Sequence, residues 1–130
     1  MRYYERERRE FVRVNAEVAV RYRFLGHDAT FQATGFVDGK TSNLSGGGML
    51  LTASVADPDW IPGLLTEHIF IGVEIDLPGA DGPVRALARA AWVEAAGDGS
   101  GTCRIGLRFK EITRQDQDRL FNFVIGNQLA

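Results

Sequence analysis

The sequence predicts an all-β domain closed by a single C-terminal helix. Three observations carry this: apolar and polar residues alternate with period two in several short runs, glycine- and proline-rich turns separate those runs, and helical spacing appears only at the end of the chain. The length is that of one ordinary domain, and a hydrophobic content of 45% suffices for a core. Short strands joined by hairpin turns favour a small closed barrel, because closure removes exposed strand edges.

Residues 1–13 are charged and poor in core formers, and read as a mobile basic arm leading into one domain over residues 14–130. From Glu17 the chain alternates, with Val18, Val20, Tyr22 and Phe24 on one face and Arg21 and Arg23 on the other, until Gly26, His27 and Asp28 break the strand. Residues 31–43 predict a strand bent or bulged at glycine. Gly46, Gly47 and Gly48 form a turn, a strand resumes at Met49, and residues 57–63 carry loop chemistry around Pro58 and Pro62. Ile69, Ile71, Val73, Ile75 and Leu77 define the next strand. A turn over 78–83 leads to inward Val84, Ala86, Ala88, Ala90 and Trp92. After a second glycine turn, Cys103, Ile105, Leu107 and Phe109 face inward, and Arg85, Arg89, Arg104 and Arg108 face outward. Thr113, with Asp116 three residues on, predicts a capped helix over about 113–127, ending at Gly126 and Asn127. The stretches 25–39 and 53–66 are longer than a tight barrel needs. In the second, Trp60, Ile61, Leu64 and Leu65 are expected to pack on the barrel rather than form a partner surface.

Charge and composition exclude several classes. A formal net charge of −2 does not suit a general nucleic-acid coat, although the arm is locally basic through Arg2, Arg6, Arg8, Arg9 and Arg13. No apolar run reaches the length of a membrane span, no signal peptide is visible, and Cys103 is the lone cysteine. These features lead us to expect a cytoplasmic protein without membrane insertion. Gly39, Lys40 and Thr41 echo the end of a phosphate-binding loop, but that motif requires glycine where Thr34 stands. His27, His68 and Cys103 lack metal-ligand spacing, Ser45 has no candidate base nearby, and Asp57 and Asp59 read as turn residues. Neither a catalytic centre, a metal nor a cofactor is expected.

Two stretches remain. Arg9 and Arg13 set two guanidinium groups four residues apart, and Asn43, Ser45 and Gly48 belong to a polar, glycine-rich turn about thirty residues later. Taken alone, the first is an ordinary charge run and the second an ordinary turn. Guanidinium forks suit guanine edges and phosphates, an asparagine carbonyl can accept from guanine N–H groups, and glycines let backbone donors approach a ligand. The order of the two motifs, Arg-x-x-x-Arg before the first strand and Asn-x-Ser-x-x-Gly at a strand-to-strand turn, resembles the PilZ domain family over nearly the whole chain. The resemblance implies a six-stranded antiparallel β-barrel of the PilZ type that binds cyclic di-GMP. It implies that Arg9 and Arg13 grip guanine and phosphate while Asn43, Ser45 and Gly48 form the facing wall. By the same resemblance, Arg8 would contact a second ligand in an intercalated dimer. The expected function is that of a bacterial receptor or adaptor, in which ligand orders the arm against the turn and changes a surface met by an unidentified protein partner. Two other classes stay open: a PilZ-like interaction module without ligand, working through the Trp60 region and the C-terminal helix, and a small barrel for single-stranded nucleic acid. The second is disfavoured by the inward placement of most aromatics and the negative net charge.

Overall fold

The structure, a computed structural model, describes residues 13–14, 17–27, 31–79 and 81–129. Its elements are β1 (Arg13–Val14), β2 (Val18–Gly26), β3 (Val37–Ser45), β4 (Gly48–Ser54), α1 (Trp60–Leu65), β5 (Ile69–Ile75), β6 (Val84–Ala95), β7 (Thr102–Ile112) and α2 (Arg114–Leu129). Strands β3, β2, β5, β6, β7 and β4 pair in that order and β4 pairs back onto β3, so six antiparallel strands close a barrel. The expected fold class is therefore borne out. The stub β1 continues the line of β2 along the same edge of β3, with Arg13 opposite Ser45 and Val18 opposite Thr41.

Alternation does the work of placing the core. Val18, Val20, Tyr22 and Phe24 are buried from β2, Ile71, Val73 and Ile75 from β5, and Cys103, Ile105 and Leu107 from β7. Burial pushes the Cys103 thiol above its ordinary range. The one polar tip carried inward by β2, the Tyr22 hydroxyl, accepts the Ser54 N–H at 2.8 Å. On the outer wall Glu74 receives Arg21 at 3.0 Å and Arg85 at 2.9 Å, tying β2, β5 and β6 together.

The two helices close opposite ends of the barrel. Helix α1 lies between the end of β4 and the start of β5, and buries Leu64 completely. Trp60 sits against Phe24 and Phe31 with ring centroids 5.5 and 5.2 Å apart, so the two long insertions pack on each other. Helix α2 follows β7 and meets β1, β3 and β6; β3 and β6 stand across the barrel from each other, so this helix covers the other mouth. Leu120 and Val124 are its buried residues. No helix among the described residues is long and apolar enough to cross a membrane.

Four local expectations need correction. The strand foreseen over 31–43 starts only at Val37, and its register shift falls between Lys40 and Asn43, just past Gly39. Residues 60–63, the second part of the stretch 57–63 expected to be loop, belong to α1, because burial of Leu64 and Trp60 outweighs the turn propensity of Pro62 and Gly63. Trp92 faces outward and is 44% exposed: a bulge between Ala90 and Trp92 reverses the alternation. Helix α2 runs past Gly126 and Asn127 to Leu129, with the Asn127 amide donating to the Phe123 carbonyl within the helix. At its start, the Thr113 hydroxyl accepts the Asp116 N–H at 3.1 Å. The reciprocal half of the capping box is diverted, since the Asp116 carboxylate takes the Arg85 N–H at 3.1 Å and Arg119 at 2.9 Å.

Candidate functional site

Arg13, the described residue of the arginine motif, stands beside the second motif. Antiparallel pairing of β1 with β3 sets Arg13 opposite Ser45 and Val14 opposite Leu44, which brings the Cα atoms of Arg13 and Ser45 to about 5 Å. Two segments thirty residues apart in sequence thus share one end of the barrel, beside α2. Arg8 and Arg9 lie outside the described residues, and for Arg13 the backbone position alone is described.

The Asn43–Gly48 segment owes its shape to two hydroxyls. Thr41, buried in β3, donates from its hydroxyl to the Asn43 carbonyl at 2.9 Å and accepts the Asn43 N–H at 3.3 Å. It therefore holds both backbone groups of Asn43 at the register shift, where a bulge re-aims the residue after it. The Asn43 side chain is partly exposed beside this bulge. Ser45 is buried, and its hydroxyl accepts the N–H groups of Gly47 at 3.3 Å and Gly48 at 3.2 Å while donating to the Gly48 carbonyl at 3.2 Å. Its bonding capacity is spent on the turn itself. Gly48 stands opposite Arg108 of β7, and a Cβ there would collide with the backbone carbonyl of Leu107. The glycine is required by the approach of β4 to β7, independent of any ligand. Thr41 was not singled out by sequence; a threonine two residues before Asn43 is too common in strands to be a signal.

A groove of about 1420 Å³ runs along the barrel from Gly46 and Gly47 past Arg108 toward Arg85 and Arg114. It is larger and more open than a typical small-molecule pocket of roughly 300–1,000 Å³, so volume by itself selects no ligand. Charge is more informative. Of the four outward arginines, Arg85 is held by Glu74 at 2.9 Å and Arg104 by Glu94 at 3.7 Å. Arg89 and Arg108 face each other across β6 and β7. No group of three or more potential metal ligands comes together among the described residues.

Comparison with known proteins gives the family and the fold. The family model described as "PilZ domain" matches residues 7–126. A search of the curated proteins returns no match. Among solved structures, the chain is similar to the Bacillus subtilis inhibitor of motility MotI/DgrA, with TM-score 0.64 and 16% identity, over 99% of this chain and 53% of that one. It is similar to the PilZ domain of YcgR from Escherichia coli, solved with c-di-GMP, with TM-score 0.54 and 14% identity over 90% and 88% of the two chains. It also resembles MrkH, described as a c-di-GMP-dependent transcription regulatory factor, with TM-score 0.59 and 15% identity over 90% and 49%. The chain thus spans about half the length of MotI/DgrA and MrkH and most of the YcgR domain. Identities this low speak for the fold, and the match of the family model over most of the sequence supplies the rest: the chain belongs to the PilZ domain family.

Proposed function

We propose that this PilZ domain is a receptor for cyclic di-GMP and acts by binding rather than by catalysis. The observation that carries the reading is the β1–β3 register, in which Arg13 of the arginine motif stands opposite Ser45 of the Asn-Ser-Gly motif. In the proposed complex Arg9 and Arg13 hold guanine and phosphate groups, and the Asn43 carbonyl oxygen accepts from a guanine edge. Ser45 and Gly48 contribute mainly by shaping the turn, since the hydroxyl of one is engaged and the other is set by β4–β7 packing. Ligand bridges the arm to the turn. Because only the bridged state makes both sets of contacts, ligand favours an arm folded against the barrel, and the surface so formed meets a protein partner. Arg8 contacts a second, intercalated ligand. That the YcgR PilZ domain of Escherichia coli was solved with c-di-GMP supports the choice of ligand.

The alternative of a ligand-free interaction module working through the Trp60 region and the C-terminal helix loses the Trp60 half of its surface. Trp60 and Leu64 are committed to packing, and of that cluster Leu65 is the residue left largely exposed.

Calorimetric titration with cyclic di-GMP tests the proposal. Wild type is expected to bind, and Arg9→Ala and Asn43→Ala each to weaken binding by roughly tenfold or more, matching the loss of one charge-assisted contact of about 1.5–3 kcal/mol. Two ligands per chain, reduced to one in Arg8→Ala, supports the intercalated dimer. Absence of heat and of any thermal shift well above micromolar ligand overturns the receptor reading.

A further inference from the structure

Strands β6 and β7 treat two of their arginines oppositely. Arg104 stands across from Glu94 and is ion-paired with it at 3.7 Å. Four residues along β7, Arg108 stands across from Arg89. Both point outward, since Leu107, Ala88 and Ala90 beside them are buried. Neither side chain makes an ion pair or hydrogen bond among the described residues. Like charges directly opposite each other destabilise a sheet, and a phosphate bound between two guanidinium forks would reverse the sign of that interaction.

The row continues into the motif already described. On its other side Arg108 pairs with Gly48, so Gly48, Arg108 and Arg89 lie in line across β4, β7 and β6, spanning about 10 Å at the usual strand spacing. Two residues along β4 and β7, and three along β6 because of its bulge, is a parallel row of Leu50, Gly106 and Trp92, which Asn43 extends through its pairing with Leu50. Trp92 is 44% exposed, and its indole lies over Gly106 so closely that a Cβ on that glycine would collide with it. The absent side chain lets the ring lie against the sheet with an exposed face. A stacking surface beside two uncompensated guanidinium groups matches the chemistry of a base and its phosphate.

We propose that Arg89, Arg108 and Trp92 form a second subsite, continuous with the Asn43–Gly48 turn, that takes a phosphate and the guanine of the bound nucleotide. The proposal rests on the cyclic di-GMP reading and adds to it three affinity-determining residues that neither motif contains. It also selects among the four outward arginines of β6 and β7: Arg85 and Arg104 already have carboxylate partners in Glu74 and Glu94.

The chain has two tryptophans, so Trp60→Phe leaves Trp92 as the sole indole fluorophore. In that background cyclic di-GMP is expected to quench the Trp92 emission. By calorimetry, Arg89→Gln and Arg108→Gln should each raise Kd roughly tenfold and flatten its dependence on salt, whereas Arg104→Gln should stay within about twofold of wild type. Both variants should melt at or above wild type without ligand, because each removes a like-charge opposition. Unquenched Trp92 emission together with unchanged Kd in both variants overturns the subsite while leaving the receptor reading intact. If wild type binds no cyclic di-GMP, the receptor reading fails and the subsite is judged alone with inorganic pyrophosphate. A rise in wild-type Tm that Arg108→Gln abolishes supports it, and no rise overturns it.

Discussion

Replacing Gly48 with alanine separates two explanations of the same residue. Family resemblance makes Gly48 part of the ligand wall, whereas the structure gives it a role in the empty protein. An added Cβ would collide with the Leu107 carbonyl oxygen, with the Leu107 carbonyl carbon and the Arg108 Cα also in tight contact at 3.1 and 3.3 Å. All three atoms are backbone and belong to the neighbouring strand, so no side chain can swing aside. Relief requires β4 to move away from β7, which strains the Gly48–Arg108 pairing and the Ser45 hydrogen bonds to Gly48. Overpacking of this kind costs about 1–3 kcal/mol. For 130 residues, the unfolding entropy of about 2.1 cal/mol/K per residue converts this to a fall in Tm of roughly 4–11 °C. Thermal and urea unfolding without ligand, compared with Arg9→Ala, is the assay. Gly48→Ala should lose this stability, and Arg9→Ala should melt with wild type. A ligand-free Gly48→Ala protein that melts within about 1 °C of wild type would refute the steric reasoning and return Gly48 to a purely ligand-facing role.

Three further outcomes follow from the packing. Leu64→Ala, which empties a fully buried site in α1, should cost about 2–5 kcal/mol in urea unfolding, and a cost below 1 kcal/mol would mean that α1 does not seal the barrel. Thr41→Val keeps the shape but strips both hydrogen bonds from the Asn43 backbone; it should weaken cyclic di-GMP binding several-fold with a stability loss of about 1–3 kcal/mol, whereas unaltered affinity would show that the bulge does not aim Asn43. Burial raises the folded pKa of Cys103, so its contribution to stability is present below the ordinary thiol range and lost as pH rises through the folded value. Accordingly, iodoacetamide should label the native protein far more slowly than the urea-unfolded chain at pH 8, and equal rates would contradict the burial.

The barrel was legible because its strands alternate: Val18 to Phe24 bury one face and leave the other to water, and from Ile71 to Ile75 buried residues alternate with half-buried Gly72 and Glu74. Legibility ended where the period was interrupted. Trp92 was assigned to the interior because alternation from Val84 points it there, and a bulge after Ala90 is invisible to a count of residues. Helix α1 is too short to display a helical period, and its Pro62 and Gly63 carry turn signals that burial of Leu64 overrides. Gly126 and Asn127 signal a helix end, yet the helix continues to Leu129. The site was legible as a pair of motifs but not as a mechanism of support. Asn43, Ser45 and Gly48 were found by spacing. That Ser45 spends its hydroxyl inside the turn, that Thr41 fixes Asn43, and that Arg89 and Arg108, unlike Arg85 and Arg104 on the same two strands, have no carboxylate partner among the described residues are all consequences of how the chain folds around these positions.

The central claim is that one ligand engages the arginine motif and the Asn43–Gly48 turn together, across the β1–β3 pairing. Amide hydrogen exchange with and without cyclic di-GMP tests it most directly. The account predicts that ligand slows exchange in residues 8–14 and in residues 43–48 at the same ligand concentration, with the change lost from both segments in Arg9→Ala. Protection confined to one segment, or to neither at saturating ligand, contradicts it.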